Sequence, residues 1–444
     1  MVPPALSTRS SSESLYSNSS SVCSAPDRLP PAITGPMVWQ GNELDPAEYV
    51  VQLSDGEIRD IRAAIIKFKL TGLARSEISA KTFDLGNPEL ANKLSSLSKD
   101  IHLGRGVVVL RGLDTAYLND EEAVIAFVGV CSHICPERAT DSYANQTLSH
   151  VLDATKKPVP AECRGIGLAG SKVTAAMDFH SDRFSGDVLA LYVRNDGGPG
   201  AGGKQSVVSF ARIYNELLQS DPEVLETLAE PDWPFELKKK DGAPYLEPGP
   251  ILFFSQGKPI CQLVKAPLLG TPNLPRDAQL PPLSARQHRA LAAVERLAKQ
   301  FSTQLDRQPG DIQLVHNLSV MHARSEYRGA RRSKNSHSSS SSSSSSMRRM
   351  RSSSNKHIKE THDDDDEDAP STRHLLRMFL RDPTHAWAKP HTTSTTADLR
   401  APDTTASTTK NSFDDPFEPG RPQNLPVFDT DPWRIISPGG NILI

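Results

Sequence analysis

The rhythm of apolar positions changes several times along the chain and divides it into segments. Residues 1–35 are rich in Ser and Pro with almost no apolar periodicity, and they read as a disordered arm. Helical spacing follows. Ser54 and Glu57 form a capping-box signal ahead of an apolar-periodic run containing Ile58, Ile61, Ile65 and Ile66. A second helix is predicted near Pro88–His102. A third starts at Asn119-Asp120-Glu121-Glu122 and reaches about Cys131. Between them, Val107-Val108-Val109-Leu110 reads as a buried strand.

Beyond Cys131 the pattern turns to strands. Ala175–Asp182, Asp187–Arg194 and Ser206–Ser209 are short and apolar-rich, with a Gly/Pro loop at Gly197–Gly203. Ile251–Ser255 and Ile260–Val264 flank Gly257-Lys258-Pro259, a hairpin signal. A long helix is predicted from Ser284 to about Leu305, and Asp311–Val315 returns to strand. The last strand is Arg373–Leu380. Many short strands, with helices in front and one inserted, predict an α+β domain built around a small β-barrel or jelly roll.

That domain spans 38–388, with an interruption at 331–370. The interruption holds an unbroken Ser338–Ser346 tract, the basic residues Arg348, Arg349 and Arg351, and an acidic run from Asp363 to Glu367. Such a segment cannot bury enough apolar surface to offset its ordering entropy. Residues 389–444, rich in Thr, Asp and Pro over their first half, are expected to be a mostly disordered tail. Setting the biased segments aside leaves roughly 300 residues, ample for one large core.

Composition narrows the function. A net charge of −3 gives no global field for nucleic acid or a membrane, so the expected partner is a small-molecule substrate. The oligomeric state is left open. Five irregularly spaced cysteines favour a reducing compartment over a disulfide framework. No apolar run approaches the roughly 20 residues that span a bilayer. The arm fits an organelle transit peptide in being Ser-rich and acid-poor, but Arg9 and Arg28 are its only basic residues. The cytoplasm is therefore the default, with a mitochondrial address as the alternative.

The chemistry centres on Phe179-His180-Ser181-Asp182. On a strand, positions i and i+2 share a face, so this imidazole and carboxylate can reach one ion. Two neutral imidazoles with one carboxylate form the facial triad of non-haem iron(II). Met321-His322-Ala323-Arg324 supplies the second, distant His. A His-x-Asp pair alone carries little weight, since a second one, His362 with Asp364, lies in the acidic run with no strand around it. Context adds weight. With 331–370 set aside, Arg373 and Arg377 follow His322 by 11 and 15 positions, on the next strand. A guanidinium there pairs well with a carboxylate.

These elements resemble the taurine catabolism dioxygenase (TauD/TfdA-like) family, and its fungal branch above all. The likeness rests on Phe179-His180-Ser181-Asp182, Gly202-Gly203, Ile213-Tyr214-Asn215-Glu216-Leu217, Pro309-Gly310-Asp311, Met321-His322-Ala323-Arg324 and Arg373-His374-Leu375-Leu376-Arg377. It covers about residues 38–330 and 371–388. The resemblance implies a double-stranded β-helix of the clavaminate synthase-like kind. It also implies an iron(II)- and 2-oxoglutarate-dependent dioxygenase, which consumes O2, oxidises a small organic substrate and releases succinate and CO2. It assigns His180, Asp182 and His322 as iron ligands and Arg373 as the 2-oxoglutarate anchor. Arg377 would share that task or hold an anionic substrate. Where the family often has Thr or Ser after its Gly-Gly pair, this chain has Lys204-Gln205-Ser206, so Gln205 and Ser206 both remain candidates for the cosubstrate. His316-Asn317 stands where fungal relatives tend to show Asn-Asn, and the extra imidazole would perturb the site or simply pack.

Other residues carry weaker expectations. Cys131-Ser132-His133-Ile134-Cys135 has no partner pair at zinc-finger spacing and is read as packing. His150 is read as a core or surface His before a substrate contact, and Arg324 is divided evenly between pocket and ion pair. The competing function is a non-catalytic jelly roll that binds a ligand or partner. The joint presence of three ligand residues and an anchoring Arg argues against it.

Overall fold

The computed structural model describes residues 28–113, 117–140, 146–158, 168–237, 245–271, 275–329, 371–390 and 410–429, with short pieces at 393–394, 435–436 and 442–443. The expectations for 1–27 and 331–370 lie outside the described residues.

Three helices lead the domain: Asp55–Thr71, Pro88–Leu103 and Asp120–Ile134. Ser54 and Glu57 close the capping box that their spacing predicts, and Asn119 does the same with Glu122. The strands preceding the hairpins are β1 (Val50–Gln52), β2 (Val107–Arg111), β3 (Glu137–Arg138), β4 (Ser149–Leu152), β5 (Met177–His180), β6 (Val188–Asn195) and β7 (Gln205–Ser209). Two hairpins follow, β8 (Trp233–Leu237) with β9 (Tyr245–Gly249), and β10 (Leu252–Ser255) with β11 (Lys258–Cys261). The helix Ala285–Phe301 is then inserted, before β12 (Thr303–Gln304), β13 (Ile312–His316), β14 (Val320–Arg324) and β15 (His374–Arg381).

These strands form two main sheets. The larger runs β1-β2-β13-β6-β15-β3, with β4 also paired to β15; the smaller runs β12-β7-β14-β5. Strand alternation separates three apolar layers. Along β6, Val188, Ala190 and Tyr192 pack with the leading helices, whereas Leu189, Leu191 and Val193 point between the sheets. This explains why β6 reads as an unbroken apolar run: both its faces are covered. On the smaller sheet Val208 and Met321 face the inserted helices, while Val207 and Val320 join the layer between the sheets. The architecture is the expected α+β jelly roll with leading and inserted helices.

Two boundaries depart from expectation. The arm ends sooner than residue 35, because Leu29 and Ile33 pack beside the helix Phe210–Ser220 and Ile33 N–H donates to Asn215 Oδ1 at 2.7 Å. Within the tail, residues 410–429 dock on the domain. Phe413 and Leu425 are buried, the Pro416 carbonyl accepts from Thr140 N–H at 2.7 Å, and Asp429 meets Lys172 at 2.6 Å. A few anchors dock a segment whose average composition is polar.

Candidate metal centre and cosubstrate pocket

His322 on β14 is the direct antiparallel partner of His180, the last residue of β5. Direct partners project from the same face, here the one between the sheets, and their rings stand 4.2 Å apart, centroid to centroid. Asp182 arrives differently. It lies two residues beyond β5, outside the strand and just before the turn at Arg183-Phe184, so strand alternation does not aim it. Asn317 aims it instead. Asn317 Oδ1 accepts from Asp182 N–H at 2.8 Å, and Nδ2 donates to the Asp182 and Gly186 carbonyls at 2.7 and 3.0 Å. The intervening Ser181 hydroxyl donates to the Cys261 carbonyl at 2.7 Å and accepts from Leu263 N–H at 3.1 Å.

The three side chains converge. One ligand atom from each of His180, Asp182 and His322 lies within 4.8 Å of the others. Asp182 Oδ2 is 3.4 Å from His322 Nε2. His180 Nδ1 is 2.8 Å from the Asp178 carbonyl, which can only accept, so Nδ1 carries the proton and Nε2 keeps a free lone pair. Burial, then the His322 ring, pushes the His180 pKa down to about 4, which keeps it a neutral donor. Burial raises the Asp182 pKa, but the adjoining His322 imidazole, then His180, outweigh it and hold the carboxyl well below the usual range. Two neutral imidazoles and one carboxylate at this spacing fit iron(II). Among the described residues no other group of three His, Cys, Asp or Glu side chains is so placed.

The triad opens into a cavity of about 500 Å3, part of it continuous with solvent. Its apolar wall includes Leu189, Leu191, Leu375, Val151 and Met177, and its polar lining includes Gln205, Ser171, Arg324, Arg373 and Arg377. Arg373, Leu375 and Arg377 share one face of β15 and its approach. Arg373 is 3% exposed, and its Nε and Nη1 have no hydrogen-bond partner. Burial, then the neighbouring Arg307 and Arg324 guanidiniums, pushes its pKa below the ordinary arginine value. A Cβ added to Gly203 (φ +67°) would fall 2.6 Å from Arg373 Nε, so the glycine makes room for this guanidinium. Arg377 Nε donates to Ser149 Oγ at 3.1 Å.

Strand parity puts Gln205 and Ser206 on opposite faces of β7. Gln205 faces the cavity, 4% exposed, with neither amide atom hydrogen-bonded; Ser206 is on the opposite face and does not line it. Arg324 lines the cavity, yet its guanidinium is spent on the backbone carbonyls of Gly170, Val173 and Ala175 rather than on an ion pair. The extra imidazole of His316 packs, with Nδ1 2.7 Å from Ser319 Oγ and its ring against Trp387 and His102. His150 is a core residue: Nδ1 is 2.8 Å from His374 Nε2, and Nε2 is 3.1 Å from the Pro426 carbonyl. Its neighbour Val151, on the other face of β4, is the one that reaches the cavity. Cys131 and Cys135 are buried in and at the end of a helix, as packing requires. Sequence reasoning missed Ser171, Val151 and the leucines of β6, although alternation along β6 marks the latter.

Fold and site together define a non-haem iron dioxygenase. The sequence profile of the family "Taurine catabolism dioxygenase TauD, TfdA family" matches residues 68–337, and the chain belongs to that family. The matched span contains the triad, while Arg373 and Arg377 lie beyond it. The chain is 34% identical over 297 residues to the taurine hydroxylase-like protein SAT17 of Stachybotrys chartarum, covering 66% of this chain and 75% of that one. It is 24% identical over 300 residues to FR-33289 synthase of Streptomyces rubellomurinus, covering 66% and 84%. A solved asparagine oxygenase in complex with Fe(II), 3-hydroxyasparagine and succinate aligns over 75% of this chain and 93% of its own, at 16% identity and a TM-score of 0.49. No helix among the described residues is long and apolar enough to cross a membrane.

Proposed function

We propose that His180, Asp182 and His322 hold the iron, that Arg373 and Gln205 receive the far carboxylate of 2-oxoglutarate, and that the enzyme hydroxylates a small organic anion steered by Arg377. The observation that carries this reading is a buried arginine with unpaired nitrogens in the same cavity as the triad. A buried cation without a partner is costly, and a carboxylate is its natural complement.

When bound, iron and the keto acid supply the oxidising chemistry, in which O2, 2-oxoglutarate and a substrate C–H become succinate, CO2 and an alcohol. The chain's own work is positional. Asn317 fixes the backbone that carries Asp182, and the Asp178 carbonyl fixes the His180 tautomer. Leu189, Leu191 and Leu375 keep water from one wall of the cavity. Arg373 and Arg377 set two cationic points two pleats apart, which favours a small anion beside the dicarboxylate.

Asp182→Ala is expected to reduce 2-oxoglutarate-dependent succinate formation to background in iron-replete buffer. Turnover at the wild-type rate would refute the assignment.

A further inference from the structure

One wall of the cavity is built by residues 169–177, between β4 and the start of β5. Ser171 and Met177 of this wall line the cavity, and Met177 lies across Gly170, where an added Cβ would meet its Cε at 3.3 Å. Arg324, itself in the lining, ties the wall through the Gly170, Val173 and Ala175 carbonyls. A second tie comes from the far end of the chain. Residues 424–426 run beside β4: the Asn424 carbonyl accepts from Thr147 and Leu148 N–H, each at 3.1 Å, and the Pro426 carbonyl is 3.1 Å from His150 Nε2. Further on, Asp429 Oδ1 accepts from Lys172 Nζ at 2.6 Å, and Oδ2 is 3.3 Å from Lys157 Nζ. The side chains of Lys172 and Asp429 are both buried, at 6% and 4% exposure.

We propose that Asp429 is a positioning residue for the cavity: its grip on Lys172, the neighbour of Ser171, holds the 169–177 wall in place and so governs how fast a ligand leaves. This rests on the reading above that 2-oxoglutarate occupies the cavity. A carboxylate that merely fastened the tail would be redundant. Phe413 and Leu425 are already buried, Arg421 Nη1 donates to the Thr140 carbonyl at 3.1 Å, and Gln423 Oε1 accepts from Arg138 Nε at 2.7 Å. Asp429 lies beyond all of these anchors, and what it holds is the wall. Lys172 depends on it. The ammonium also donates to the His150 carbonyl, but that oxygen carries no charge, and the other charges that bear most on Lys172 are the cations Arg377 and Lys157. Burial pushes the Lys172 pKa down to about 8, against the attraction of Asp429. Removing one member of a buried pair leaves the other uncompensated. Lys172 would then turn toward water and take the wall's backbone with it, because its N–H donates to the Ala169 carbonyl at 2.8 Å and its carbonyl accepts from Ala154 N–H at 2.9 Å.

The test follows two quantities in the full chain. One is backbone amide exchange. The other is the release of 2-oxoglutarate from the iron(II)-loaded chain without oxygen, read from the visible charge-transfer absorption of a 2-oxo acid chelated to ferrous ion. Asp429→Asn is expected to speed exchange of the 169–177 amides about tenfold or more, the scale of a lost charged hydrogen bond, and to leave the amides of β6 and β13 unchanged. Release is expected to quicken severalfold. Unchanged exchange at 169–177 would overturn the proposal, as would faster exchange there with unchanged release. Should Asp429→Asn loosen β6 and β13 as well, Asp429→Glu is measured instead. It keeps the charge and moves it by one methylene, so smaller changes in both quantities are expected, with exchange still confined to the wall; no change in either would overturn the proposal. The two levels fail differently. A wild-type chain that gives no charge-transfer band with 2-oxoglutarate sinks the parent reading, whereas a band whose decay ignores Asp429→Asn defeats only the role of Asp429.

Discussion

Arg111 and Arg373 are both arginines of the larger sheet, one on β2 and one leading into β15, and the fold treats them in opposite ways. Arg111 grips Asp311 with Nε and Nη2, and Asp311 is fully buried. Arg373 is 3% exposed and has no carboxylate among its described contacts; its Nε and Nη1 are unpartnered, and the Tyr327 side chain and two other guanidiniums lie nearby. Where the chain needs a closed structure it supplies the counter-ion itself. Where it needs a ligand it withholds one, and the resulting electrostatic cost becomes binding energy for an anion.

The contrast can be broken by removing each arginine in turn. Arg111→Met should destabilise folding by about 3–5 kcal/mol, because it leaves Asp311 buried without its partner; denaturant unfolding measures this. Arg373→Met should show no loss of ligand-free stability, and a loss as large as that of Arg111→Met would end the distinction. The same Arg373→Met chain should bind 2-oxoglutarate about 10–100-fold more weakly, corresponding to about 1.5–3 kcal/mol for hydrogen bonds to a charged group. Ligand stabilisation should follow: iron(II) with 2-oxoglutarate at 100 times its Kd should stabilise the wild-type chain by about 2.7 kcal/mol. Arg373→Met should keep only about 0.4–1.4 kcal/mol of that gain at the same concentration, as thermal unfolding would show. The smallest effects separate neighbours on β7. Gln205→Leu should weaken 2-oxoglutarate by about 1 kcal/mol, whereas Ser206→Ala should leave both binding and stability within about 0.5 kcal/mol.

Much of the site was legible because its information is local. His180, Asp182 and His322 could be named from motif and spacing, and the leading helices from Ser54, Asn119 and their periodic apolar partners. What could not be read was non-local. Asp182 is aimed by Asn317 from 135 positions away, not by strand alternation. The choice between Gln205 and Ser206 depended on where β7 begins, because a shift of one residue reverses the faces. Residues 410–429 looked like solvated tail because Phe413 and Leu425 are sparse among Thr, Asp and Pro, yet the domain provides sites for both. His316 looked like a possible perturbation of the metal site, and packing against His102 and Trp387 resolved it.

The most direct test is an anomalous-difference map, at the iron edge, from crystals grown without oxygen in iron(II) and 2-oxoglutarate. The account predicts one peak per chain, bonded by His180, Asp182 and His322, with the keto acid's far carboxylate against Arg373. A peak bonded by other side chains, or an iron-saturated crystal with the triad empty, would contradict it.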